Sequence, residues 1–105
     1  MKQGLNEICY GFFATLANPT RLAILERLQD GTMNVSGLAE LLDQEQSMIS
    51  HNLKLLERCG FISSERRGKE KYVFLNRDLV DPLFELVVHH TCEHCDAVDG
   101  CPHNP

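Results

Sequence analysis

Nowhere do the 105 residues contain an apolar run long enough to cross a bilayer, which excludes a membrane-spanning helix. The opening stretch MKQGLNEICYGFF carries an acid at Glu7 and no small-residue cleavage site behind a long apolar segment, so it does not read as a secretory signal. The expected location is the cytoplasm. Internal repeats and flexible linkers are also lacking, which leaves one globular unit. At this length a core forms but burial is not generous, and an obligate dimer would supply more. No motif sets a nucleophile, a base and an oxyanion site together, so an enzyme is not expected.

Positive charge is scarce in an informative way, because no lysine or arginine follows Arg77. Residues 1–77 hold all ten basic residues against nine acids, a net +1, whereas residues 78–105 hold six acids and no base, a net −6. The overall charge of −5 therefore does not exclude a nucleic-acid partner for the first part of the chain. An even cysteine count is lacking too. Five cysteines in a reducing compartment argue against a disulfide framework and toward metal, metalloid or redox chemistry.

What is present reads mainly as helix. Leu5, Ile8, Phe12 and Leu16 recur at helical spacing, with Cys9 and Phe13 beside them. Asn18-Pro19 then reads as a cap followed by a first-turn proline, opening a helix over 19–28 that stops at Asp30-Gly31. Val35 is expected in a short extended piece, with Leu38, Leu41 and Leu42 marking a third helix of about two turns. After the turn Asp43-Gln44-Glu45, a helix over 46–58 would bury Ile49, Leu53 and Leu56, with Gly60 as its C-terminal cap. Two helices joined by so short a turn form a helix-turn-helix.

Phe61 to Glu65 and Lys71 to Leu75 predict the strands of a hairpin, with Arg66-Arg67-Gly68-Lys69-Glu70 as a basic tip, or wing. Asp78 can cap a last helix carrying Leu79, Leu83, Leu86 and Val87 and running to about His90. The expected fold is mainly α with a small β-hairpin: a dimeric winged helix-turn-helix over residues 1–90, followed by a Cys/His-rich tail over 91–105.

The strings LANPTRLAIL (16–25), SMISHNLKLLERCGFI (47–62) and RRGKEKYVFL (66–75) closely resemble the ArsR/SmtB family of metal-responsive winged-helix repressors, over about residues 8–88. The resemblance implies a homodimer joined through its first and last helices, and an operator released when inducer binds. Departures are equally plain. Many relatives carry a cysteine pair at the start of the third helix, where Asn34-Val35-Ser36-Gly37-Leu38 has none. Others bind zinc on the last helix through a DxH pattern followed by HxxE or HxxH. His90 and Glu93 fit the second half, but Arg77 and Leu79 fall where the first should be. Glu45 stands where relatives usually cap the recognition helix with serine or threonine.

Two sets of residues are expected to carry function. Gln46, Ser47, Ser50, His51 and Lys54 share one face of the recognition helix and suit base edges and phosphates in the major groove of double-stranded DNA. Arg66, Arg67, Lys69 and Lys71 on the wing suit phosphate or the minor groove. A dimer of such helices predicts an operator that is an imperfect palindrome.

The second set lies in HHTCEHCDAVDGCPH, residues 89–103, where three cysteines and four histidines crowd into fifteen residues. Cys92, Cys95 and Cys101 follow a C-x2-C-x5-C spacing, and thiolates select soft ions: zinc, cadmium, lead, mercury, copper(I) or trivalent arsenic. A fourth ligand from His89, His90, His94 or His103 would suit zinc or cadmium, and three sulfurs alone would suit arsenic or lead. Cys9 and Cys59 are expected as core or semi-core residues, Cys9 also being a candidate fourth sulfur from the dimerising helix. The alternative is a redox-sensing repressor in which Cys92 and Cys95 form a disulfide.

Overall fold

A computed structural model describes residues 4–93. Their elements in chain order are α1 (Leu5–Leu16), α2 (Pro19–Leu28), β1 (Met33–Asn34), α3 (Val35–Leu42), α4 (Gln46–Arg58), β2 (Ile62–Arg67), β3 (Glu70–Leu75) and α5 (Arg77–Glu93). The three strands form one antiparallel sheet in the order β1-β3-β2. The helix-turn-helix is α3–α4 and the wing is β2–β3. Among the described residues no helix is long and apolar enough to cross a membrane.

Helix ends follow from side chains near them. Asn18 caps α2 by accepting the Arg21 N–H at 3.1 Å, with Pro19 in the first turn. Asn34 caps α3 in the same way, accepting the Gly37 N–H at 2.7 Å, and its carboxamide nitrogen donates to Glu70 on β3 at 3.2 Å. That second bond ties the start of the helix-turn-helix to the wing. α4 ends where Gly60 takes φ +80°, which lets the Phe61 N–H reach the Leu56 carbonyl at 3.0 Å and the Gly60 N–H reach that of Glu57 at 3.0 Å. Only a residue without a β-carbon adopts that conformation at no cost, and the paired bonds satisfy carbonyls that the helix end leaves open.

One core unites the elements. Ile24, Leu25 and Leu28 of α2 meet Leu38 and Ala39 of α3 and Ile49, Leu53 and Leu56 of α4, and Phe61, Ile62, Val73, Leu75 and Val80 close it from the sheet side and α5. Phe61 is fully buried and stacks at a tilt on Phe12 of α1, ring centroids 5.0 Å apart. α1 itself buries no residue: Phe12 and Leu16 pack against the core while Leu5, Ile8 and Phe13 remain exposed. In α5 only Val80 is buried, and Leu86, Val87 and Val88 are exposed.

Several expectations shift. Val35 opens α3, and the extended piece is the pair Met33–Asn34 before it, because Asn34 supplies the cap. The wing strands run longer than expected: Arg66, Arg67 and Glu70 belong to them, and the turn is only Gly68-Lys69, with Gly68 at φ +63°. At the start of α5 the Asn76 carbonyl receives the Leu79 and Val80 N–H groups, so Asp78 falls inside the first turn, where an acid suits the helix dipole. α5 continues to Glu93 and carries Thr91 and Cys92 in its last turn. Cys59, expected in or near the core, is exposed at the end of α4, its sulfur 3.3 Å from the Thr15 hydroxyl.

Candidate nucleic-acid interface and thiol site

α4 buries Ile49, Asn52, Leu53 and Leu56 and turns Gln46, Ser47, Ser50, His51 and Lys54 to solvent. The two sets oppose each other because a turn of 3.6 residues returns positions 49, 53 and 56 to one side and 47, 51 and 54 to the other. The exposed side is polar, basic at Lys54 and free of acids until Glu57. Glu45 occupies the N-cap without a side-chain bond to the helix, so the first-turn N–H groups of α4 are not capped by it. Met48, half exposed in that first turn, adds an apolar surface which the sequence reading had not assigned to the face.

In the wing, Arg66 pairs across the ladder with Lys71, and Arg67 with Glu70. Like charges directly opposite repel, and here a third residue offsets the repulsion. Lys71 reaches Glu57 of α4 at 3.7 Å, and the other Glu57 carboxylate oxygen accepts the Ser64 hydroxyl at 3.0 Å. Glu57 thus fastens the recognition helix to the wing and engages Lys71 in an intramolecular ion pair. Arg67 stacks over Tyr72, 4.8 Å from the ring centroid, and lies 3.5 Å from Glu65. The guanidinium thus lies over the ring with one terminal nitrogen toward Glu65. Arg66, Arg67 and Lys69 are all exposed.

The thiol site is described only at its first residues. Cys92 is half buried in the last turn of α5, at one end of a groove of about 750 Å³ between α2 and α5 walled by Leu22, Glu26, Phe84, Val88 and His89. His89 and His90 are exposed on the same helix, and His89 contacts Glu93 one turn on at 3.1 Å. His94, Cys95, Cys101 and His103 lie outside the described residues. Among those described, no three or more His, Cys, Asp or Glu side chains are grouped to hold a metal ion. Cys9 is half buried on α1. The donor chemistry still suits a soft ion, since one thiol is fixed on a helix end and two more follow within nine residues of it.

Sequence reasoning missed two residues that join α2 to the middle of α4. Asn52 is buried at 4% exposure in the apolar row of α4, and Arg21 donates to it from α2. The signal was visible as a polar side chain at a core position, but nothing local names its partner.

The geometry has counterparts. The sequence model of the family described as bacterial regulatory protein, arsR family, matches residues 18–64, which span the helix-turn-helix and the start of the wing. The HTH-type transcriptional regulator NmtR of Mycobacterium tuberculosis is 37% identical over 79 residues, covering 75% of this chain and 65% of NmtR. A probable mercury resistance operon repressor of Streptomyces lividans is 30% identical over 94 residues, covering 90% of this chain and 75% of that protein. Among solved structures, the homodimeric winged helix-turn-helix DNA-binding domain of Mb0332 from Mycobacterium bovis superposes with a TM-score of 0.75 at 28% identity, over 90% of this chain and 92% of that one. By its sequence, its α3–α4 pair and its wing, the chain belongs to the arsR family of bacterial regulatory proteins, which are transcriptional regulators and not enzymes.

Proposed function

We propose that the protein is a homodimeric repressor that holds an operator through α4 and the wing and releases it when a soft metal or metalloid ion binds Cys92, Cys95 and Cys101. The observation that carries the reading is the position of Cys92. α5 bears an uncovered apolar flank of Leu86, Val87 and Val88 and ends in the first thiol of the cluster. An ion that ties that end down would act directly on the helix that also supplies dimer surface. Leu5, Ile8 and Phe13 of α1 are the matching uncovered surface, and a domain that leaves such side chains in water is incomplete as a monomer. The relative described as a mercury resistance repressor fits an inducer of the thiophilic class.

The test is a titration of the reduced protein with zinc, cadmium, lead, mercury, copper(I) and trivalent arsenic, read by thiolate-to-metal absorption and by release of labelled operator. Binding that saturates together with release supports the reading. Release by peroxide in metal-free buffer, reversed by dithiol, would instead favour the disulfide switch between Cys92 and Cys95. No release by any of these agents would remove sensing from the tail.

The wing has its own test. Alanine at Arg67 and Lys69 weakens binding to every DNA sequence and lowers the slope of log affinity against log salt by about 1.8 per subunit, or about 3.6 for the dimer, because each lost phosphate contact removes about 0.9 of released counterion. An unchanged slope in the double variant would take the wing out of the interface.

A further inference from the structure

Asn52 is the one buried polar residue among those described, and it sits in the middle of the recognition helix. A leucine would fit the apolar row around it, so the carboxamide needs a reason. Its oxygen accepts from Nε of Arg21 at 3.0 Å, and its nitrogen donates to the Met48 carbonyl at 3.0 Å. Arg21 is forked: its Nη1 donates to the carbonyl of Thr15 in the last turn of α1 at 2.9 Å. That carbonyl lies among those a helix end leaves open, and a cation there also meets the negative end of the α1 dipole. The same Thr15 faces Cys59 at the far end of α4 through its hydroxyl, at 3.3 Å. α4 is therefore fastened to the last turn of α1 at two places, its middle and its end. Two attachments fix the rotation of α4 about its own axis, and rotation decides where Ser47, Ser50, His51 and Lys54 point.

We propose that Arg21 and Asn52 are positioning residues for operator reading: the pair locks the rotation and placement of α4 to α1, so that it serves sequence-specific binding and not general affinity for DNA. The inference rests on α4 being the reading helix. Neither residue is on the exposed face of α4, so neither is offered as a contact to a base. General affinity comes from phosphate contacts, which tolerate a small rotation, whereas hydrogen bonds to base edges do not.

The experiment uses the full chain and a site enriched from random DNA by the wild-type protein, with unrelated DNA of equal length as control. Arg21→Met keeps the packing of the stem and removes both donors, and Asn52→Leu keeps the branched shape with somewhat more bulk and removes both bonds. In each, the ratio of affinity for the site over unrelated DNA falls by about tenfold or more, as when a base contact is lost, while affinity for unrelated DNA stays within about twofold. Asn52→Asp, which keeps the acceptor for Arg21, retains most of the ratio.

The double variant Arg21→Met/Asn52→Leu separates positioning from mere structural support. Removing both partners leaves neither half of the Arg21–Asn52 bond unpaired, and only the half-buried Thr15 carbonyl at the end of α1 loses its donor, so its melting temperature recovers part of what the single variants lose, yet its ratio remains low. A double variant that melts normally and keeps the wild-type ratio would overturn the proposal, as would a parallel fall in affinity for both DNAs. If the single variants do not fold, the double variant and Asn52→Asp decide it. A wild-type protein that enriches no site would sink the reading-helix assignment itself, a result distinct from any of these.

Discussion

With Cys92, Cys95 and Cys101 all replaced by serine, the protein still binds its operator at wild-type strength and no longer lets go when the ion is added. Cys92 is in the final turn of α5, remote in sequence from α4 and the wing, so removing its sulfur leaves the DNA-binding elements intact. A serine hydroxyl is a hard donor that stays protonated near neutral pH and cannot replace a thiolate for a soft ion. Coupling between an effector and a distant site is typically about 1–3 kcal/mol, so the parent should lose about 5–150-fold in operator affinity on saturation and the triple variant essentially none. Each single serine variant should lose most of this response, because two sulfurs leave the coordination shell incomplete. Since thiolates must form, ion binding releases protons and weakens as pH falls. Replacing His89, His90, His94 and His103 without loss of response would favour the three-sulfur ions arsenic and lead over zinc and cadmium. Release of the triple variant at the parent's inducer concentration would end the sensor model. Those assays are fluorescence anisotropy on labelled operator, with and without each ion.

Glutamate at Leu86 gives the second large effect. Leu86 is 66% exposed within the subunit, so a charge there costs the fold of one chain almost nothing. In a dimer joined through α1 and α5 the same charge would be buried without a partner, and carboxylates so placed are strongly disfavoured. Sedimentation equilibrium should show a monomer at micromolar concentration, and affinity for a palindromic operator should fall by two orders of magnitude or more, since each α4 then binds alone. Melting of the monomer should become independent of protein concentration. A Leu86→Glu protein that stays dimeric and binds operator normally would place the interface elsewhere.

Much of this architecture is legible in the sequence where local chemistry marks it. α1, α2 and α4 have the extents their patterns predict, because Asn18-Pro19 and Gly60 punctuate them and the apolar spacing is regular. The misread places are those with no local marker. β1 is two residues long and exists only because β3 is there to pair with Met33 and Asn34. Arg66, Arg67 and Glu70 read as a loop since exposed strand positions with charges show no alternation, and their ladder partners alone make them strand. Asn52 and Arg21 stand thirty-one positions apart, so neither predicts the other. The recognition-helix face was legible from period alone, whereas the engagement of Lys71 by Glu57 required the hairpin to be folded against α4.

The Asn34 cap has a consequence for how this chain tolerates change. A β-carbon at Gly37 would stand 2.6 Å from the Asn34 side-chain oxygen, so even alanine forces that carboxamide to move. Alanine in place of glycine in a helix interior stabilises it by about 0.5–1 kcal/mol, and by less at Gly37 in the first turn of α3, while loss of an N-cap costs about 1 kcal/mol. The two offset each other in large part, so position 37 should be nearly silent to a melting experiment. It is not silent to the wing, which loses the Asn34 bond to Glu70. Drift at this glycine therefore escapes selection for abundance and is exposed only to selection for regulation, a division that a survey of folded, soluble variants would overlook.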